Sequence, residues 1–177
     1  AGLIVSGIGI LMAGSSRPAS GSEHHLSHFW EMKAQLEGAE ARLHGEKVAA
    51  GTVLAAQAYR FLLRQDPGEL RFRPRWRTRG LGREQYRREL EESYGPLAAA
   101  LPVMRTEQLD DETPPPRFAA RLAAARSLID PPAVPALREK LRAAGAPLTP
   151  QDLGLPCAWV RQAILHGRET RDRYTVF

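Results

Sequence analysis

The sequence predicts an all-α fold, with one helical domain spanning residues 1–177. Apolar residues recur at helical spacing in successive segments, and proline or glycine separates these segments. We find no convincing strand pattern and no internal repeat. With 43% apolar and 25% charged residues, the chain has the composition of a globular protein, and it is long enough to bury a substantial core.

The first two predicted helices flank a turn rich in serine and glycine. Residues Leu3–Met12 are apolar on every side, which predicts a central, buried helix. Pro18 lies in the turn that follows and prevents this helix from continuing. Ser20 and Glu23 have the spacing of a capping box, so a second helix is expected to begin near Gly21 and to end before Gly38.

The remaining helices are predicted from apolar periodicity and from residues that stop a helix. The segment from 71 to 82 contains Pro74 and two glycines, and it is predicted to be a loop. Thr149 and Pro150 resemble the start of a further helical turn. The predicted helices are His44–Arg64, Arg83–Leu101, Arg117–Ile129, Val134–Ala144 and Pro156–His166.

The positive charge of the chain raises the possibility of nucleic-acid binding. The formal net charge is +5, and eight arginines between Arg71 and Arg88 alternate with Phe72, Trp76 and Tyr86. Only three of the 25 basic residues are lysine, however, so much of the arginine is explained by GC-rich coding. Neighbouring carboxylates can pair with these arginines on a solvated helix face, and we therefore favour that interpretation over nucleic acid.

The ends of the chain and its cysteine content bear on location. The apolar N-terminal run has about a dozen residues, fewer than the roughly 20 that span a bilayer, and no basic stretch precedes it as in a signal peptide. The single cysteine, Cys157, excludes an internal disulfide and fits the cytoplasm. Because the first residue is Ala rather than Met, we expect the natural chain to continue upstream.

Four of the five histidines fall between residues 24 and 44, which indicates a metal or catalytic centre. His24 and His28 are four residues apart, so a helix projects both rings from one face. His44 comes from the start of the next helix. Histidines from two helices can converge on one divalent ion. The alternatives are that these are solvated surface histidines, or that one of them pairs structurally with Glu23 or Glu31.

Three segments resemble a known enzyme family. They are GSSRPASGSEHHLSHFWEM from Gly14, HGEKVAAGT from His44 and RDRYTV from Arg171. Together they resemble bacterial-type sn-glycerol-1-phosphate dehydrogenase, in the superfamily of glycerol dehydrogenase, iron-containing alcohol dehydrogenases and 3-dehydroquinate synthase. The chain resembles only the C-terminal helical domain of such enzymes. The resemblance implies a Rossmann-like N-terminal domain, absent from this chain, that binds NAD(P).

The resemblance also implies roles for individual residues. In the family one Asp and two His hold a divalent metal, which is zinc or nickel in relatives. The two family histidines correspond here to His24 and His44. The Asp would lie upstream of this sequence. His28 corresponds to a catalytic position beside the nicotinamide and the substrate. Ser16, Arg17 and Ser22 are the candidates for binding the substrate phosphate, and no residue of this chain is assigned to the cofactor.

The implied reaction is reduction of dihydroxyacetone phosphate to glycerol 1-phosphate. Without a cofactor domain and a third ligand, the chain alone is expected to be inactive and to bind metal weakly. A homo-oligomer in the cytoplasm is expected, with no membrane or nucleic-acid partner. Two alternatives stay open: a related metal-dependent alcohol or polyol dehydrogenase, and a non-catalytic helical module that acts by binding.

Overall fold

The computed structural model describes residues 2–16, 19–66, 69, 80–101, 104, 118–128 and 134–170. Within these residues the regular structure is helical and no strand occurs, which confirms the all-α prediction. The α-helices are α1 (Gly2–Ala13), α2 (Ser22–Leu36), α3 (His44–Leu62), α4 (Arg83–Tyr94), α5 (Phe118–Leu128), α6 (Val134–Ala143) and α7 (Cys157–His166). Short 3-10 turns follow at Gly95–Ala100, Gln151–Leu153 and Gly167–Thr170.

Helix α2 is the central element of the described fold. It packs against α3, α4, α7 and the 3-10 turn Gly167–Thr170. Its core face carries Leu26, Phe29 and Trp30, all fully buried. Phe29 meets Tyr94 of α4 edge to face, with ring centroids 5.3 Å apart. One side of α2 is therefore fixed by the core, which leaves its opposite side to carry polar groups.

A close contact at Gly51 sets the spacing between α2 and α3. A Cβ atom added at Gly51 would lie 2.8 Å from the backbone oxygen of Glu23. Gly51 is buried, and the atom it faces is backbone, which cannot move aside cheaply. Only glycine therefore permits the two helices to approach this closely at that level.

Gly51→Ala is expected to make the chain less stable than Gly45→Ala by about 1–3 kcal/mol, the usual cost of overpacking. Both substitutions replace a glycine of α3, but a Cβ at Gly45 would meet nothing within 4 Å. The measurement is urea denaturation of the two variants, followed by circular dichroism. Equal stabilities would show that the Gly51 contact does not limit the approach of α2 and α3.

Two buried tyrosines of α4 hold the end of α7 and the 3-10 turn Gly167–Thr170 against the core. The hydroxyl of Tyr86 donates to Glu169 Oε1 at 2.8 Å, and that of Tyr94 donates to the backbone oxygen of His166 at 2.5 Å. Burial, with Glu169 and Tyr86 nearby, raises the pKa of Tyr94. Tyr94 therefore keeps its proton at neutral pH and remains a donor.

The prediction that Leu3–Met12 forms a buried central helix is half wrong. The helix forms as α1, but Leu11 and Met12 are 81% and 84% exposed, and Ile4, Val5 and Ile8 are exposed as well. The apolar composition of a helix indicates that burial is favourable, but it does not show which other element packs over that helix. In the described residues the core forms around α2 instead.

Two predicted helix ends also differ. Gly21, not Ser20, is the N-cap of α2, and Glu23 accepts a hydrogen bond from the Gly21 backbone N–H at 2.8 Å, so the predicted capping box does not form. The helix predicted to reach Leu101 ends at Tyr94, because Gly95 adopts a φ of 52° and a 3-10 turn follows. The predicted segments 71–79 and 171–176 lie outside the described residues.

No helix in the described part of the chain combines the length and the apolar character needed to cross a membrane.

Candidate metal centre

The face of α2 opposite its core side carries a histidine cluster, which we define as His24, His28 and His44. His24, His28 and Glu31 are spaced at i, i+4 and i+7, so they follow one stripe of α2. His44 is the first residue of α3. The connection between the helices reverses direction after Gly38, whose φ of 63° favours glycine, and it returns His44 to this stripe.

The three imidazoles form a nearly equilateral triangle. The distances between ring centroids are 5.8 Å for His24 and His28, 5.4 Å for His24 and His44, and 5.5 Å for His28 and His44. Their side chains are 19%, 32% and 50% exposed in the order His24, His28, His44. The cluster is therefore half-buried and open to solvent on one side.

Each histidine of the cluster contacts a carboxylate through Nδ1. Glu31 Oε1 lies 2.6 Å from His44 Nδ1, and Glu31 Oε2 lies 3.1 Å from His28 Nδ1. Glu23 Oε1 lies 2.8 Å from His24 Nδ1. An ionised carboxylate can only accept, so each Nδ1 carries the hydrogen and donates it. In this tautomer the lone pair of each ring lies on Nε2.

The two carboxylates are ionised at neutral pH. Burial alone would raise the pKa of Glu31, but hydrogen bonds from His44, His28 and Lys47 outweigh it and lower the pKa to about 2. Burial also opposes ionisation of Glu23, whose pKa is lowered by hydrogen bonds from His24 and the Gly21 backbone. The cluster is therefore bordered by two fixed negative charges, which attract a cation.

The donor set fits a divalent metal ion. Among the described residues, His28, Glu31 and His44 offer ligand atoms that all lie within 4.8 Å of one another. Imidazole nitrogen with carboxylate oxygen is a combination that zinc and nickel accept. His24 borders this compact group by its ring distances, so the structure gathers all three histidines that the sequence pattern singled out.

Two of the residues expected to bind phosphate, Ser16 and Ser22, are described, and they differ in exposure. Ser16 is exposed in the turn after α1, and Arg17 lies outside the described residues. Ser22 is only 1% exposed, and its hydroxyl lies 3.3 Å from Tyr59 Oη, in the contact between α2 and α3. A phosphate at Ser22 would have to displace this contact.

Sequence reasoning missed the role of Glu31, which it considered only as a possible partner of a histidine. Glu31 contacts two histidines and Lys47, more than any other carboxylate described near the cluster. The signal in the sequence was its position seven residues after His24, on the same helical stripe.

Comparison with known proteins gives one consistent result. The chain is 50% identical over 58 residues to glycerol-1-phosphate dehydrogenase (NAD(P)+) of Halalkalibacterium halodurans, covering 33% of this chain and 14% of that protein. It is 46% identical over 72 residues to the enzyme of Bacillus subtilis, which is 41% of this chain and 18% of the relative. The Pyrobaculum aerophilum enzyme is 52% identical over 54 residues, which is 30% of this chain and 16% of the relative.

The match therefore spans less than a fifth of the length of these curated relatives. No family model matches the chain, and no solved structure matches it significantly. Over the matched stretch, this chain is similar to part of these glycerol-1-phosphate dehydrogenases.

Proposed function

We propose that this chain is the helical metal- and substrate-binding domain of an NAD(P)-dependent sn-glycerol-1-phosphate dehydrogenase, a cytoplasmic enzyme. The observation that supports it most is the histidine cluster, three imidazoles within 5.4–5.8 Å of one another, in a chain whose relatives carry that name. The proposed reaction reduces the C2 carbonyl of dihydroxyacetone phosphate with a hydride from NAD(P)H and one proton, and it yields glycerol 1-phosphate and NAD(P)+.

His24 and His44 are the proposed metal ligands of this chain. Both donate Nδ1–H to a carboxylate, so the lone pair of Nε2 is left for coordination. A bound zinc or nickel ion would supply Lewis-acid stabilisation of the charge that develops on the C2 oxygen. The negative charges of Glu23 and Glu31 favour a cation at the same place, and the open side of the cluster gives the substrate access.

His28 is proposed to deliver the proton. Its Nδ1 lies 3.1 Å from Glu31 Oε2, so a negative charge stabilises the ring when it carries a second proton. It is partly exposed beside the other two histidines, within reach of a substrate that lies over the cluster. Ser16, Arg17 and Ser22, which lie within seven residues of sequence, are the proposed contacts of the substrate phosphate.

We expect the protein, in the form its source expresses, to oxidise NADH or NADPH when dihydroxyacetone phosphate is added. The assay follows the absorbance of the reduced nicotinamide. Removal of metal with EDTA should abolish turnover, and addition of zinc or nickel should restore it, because the charge on the C2 oxygen would otherwise be unstabilised.

Two controls give this assay its meaning. Dihydroxyacetone without phosphate should be a poor substrate if the phosphate contacts are real. Equal turnover of the two ketones would instead support a related polyol dehydrogenase. Absence of any dihydroxyacetone phosphate reduction with metal and both nicotinamides present would contradict the proposal.

A further inference from the structure

Glu31 joins the two helices that carry the histidine cluster. Its two carboxylate oxygens have separate partners: Oε1 accepts from His44 of α3, and Oε2 accepts from His28 of α2. One side chain therefore contacts two rings whose parent helices are otherwise held together at Gly51 and along their buried faces.

The position of Glu31 is itself fixed from two sides. It lies three residues after His28 on α2, a spacing that brings the two side chains together on a helix. Lys47 Nζ lies 3.3 Å from Glu31 Oε1, and Lys47 is 5% exposed and donates to the backbone oxygen of Arg42 at 2.5 Å. Glu31 thus has less freedom than an ordinary surface carboxylate.

From this geometry we infer that Glu31 is a positioning residue, which sets the Nδ1–H tautomer and the ring orientation of His28 and His44 so that their Nε2 atoms serve metal and substrate. The part of this inference that assigns the Nε2 atoms to metal and substrate rests on the proposed function. Histidines that bind metals usually donate their other ring N–H to a carboxylate or carbonyl, and loss of that outer partner weakens metal binding. The sequence pattern alone did not assign this role to Glu31.

The first test is the histidine tautomer in the metal-free chain, measured by long-range ¹H–¹⁵N NMR of the imidazole rings. In the native chain His28 and His44 should carry hydrogen on Nδ1. In Glu31→Ala this preference should be lost at His28 and weakened at His44, whose Nδ1 keeps only the 3.5 Å contact with the Ser27 hydroxyl. In Glu31→Gln, whose amide offers a single acceptor oxygen, at most one ring should keep the preference in full. Glu92→Gln is the matched control, because it removes an exposed carboxylate of α4, away from the cluster.

The second test is titration with Co²⁺ of the same variants, made in the protein in the form its source expresses. Binding is followed by the visible absorption of Co²⁺. Glu31→Ala should weaken Co²⁺ binding by about 10- to 100-fold, the usual effect of losing an outer-shell partner. Glu31→Gln should lie between Glu31→Ala and the native chain, and Glu92→Gln should match the native chain. The shape of the Co²⁺ spectrum should stay the same in all of them.

The outcomes separate the inference from the proposed function. Unchanged tautomers in Glu31→Ala would overturn the positioning role. A loss of Co²⁺ affinity far beyond 100-fold, with a changed spectrum, would also overturn it, because Glu31 would then be a ligand. If the unsubstituted protein, in the form its source expresses, binds no Co²⁺ while the tautomers shift as expected, the inference about Glu31 stands and the proposed metal site fails.

Discussion

Trp30→Ala is expected to lower the free energy of unfolding by about 3–5 kcal/mol, the range for truncating a buried tryptophan. Trp30 is 0% exposed and belongs to the main core cluster with Leu26, Phe29 and Tyr94. Its indole N–H has no hydrogen-bond partner among the described residues, so its contribution is packing rather than a polar contact. The substitution leaves a cavity that rigid helical neighbours can close only partly.

The measurement is urea denaturation monitored by circular dichroism, with Gln35→Ala as the control on the same helix. Gln35 is exposed, so its replacement should change stability by less than about 0.5 kcal/mol. If Trp30→Ala were no less stable than Gln35→Ala, α2 would not be the central helix of the fold. Because His28 and Glu31 lie on the same helix, any metal binding should weaken together with the fold in Trp30→Ala.

The sequence predicts best those helices whose ends are marked by a nearby glycine or proline. Helix α6 begins at Val134 and ends at Ala143, one residue short of the prediction, because Gly145 takes the left-handed conformation that terminates helices. Pro156 likewise marks the start of α7 as its N-cap. In these cases the residue that determines the helix end lies within a few positions of it.

Other features depended on contacts distant in sequence. The exposure of α1 could not be predicted, because an apolar stretch carries no information on which element covers it. The carboxylate that accepts from His44 Nδ1 belongs to Glu31, 13 residues earlier in the sequence. The two side chains meet only because the chain reverses after Gly38. The spacing of His24 and His28 predicted the cluster, but the pairing of carboxylates with rings required the packing of α2 on α3.

Separate replacement of the three clustered histidines by alanine is expected to divide them into two classes. His24→Ala and His44→Ala should each weaken Co²⁺ binding by more than the roughly 10- to 100-fold typical of an outer-shell loss. His28→Ala should keep most of the affinity, and in the full enzyme it should lower kcat, because its proposed role is proton delivery. All three side chains are partly exposed, so none of these variants should unfold the chain.

The same comparison decides between two ligand sets that the geometry permits. The compact group is His28, Glu31 and His44, with donor atoms within 4.8 Å, whereas the resemblance assigns His24 and His44. If His28→Ala abolished Co²⁺ binding and His24→Ala left it intact, the compact group would be the site, and the assigned roles of His24 and His28 would be exchanged. We expect the reverse, because Glu31 already contacts His28, His44 and Lys47 and would have to give up these contacts to serve as a ligand of the compact group. Coordination by Nε2 of His24 and His44 leaves the contacts of Glu23 and Glu31 in place.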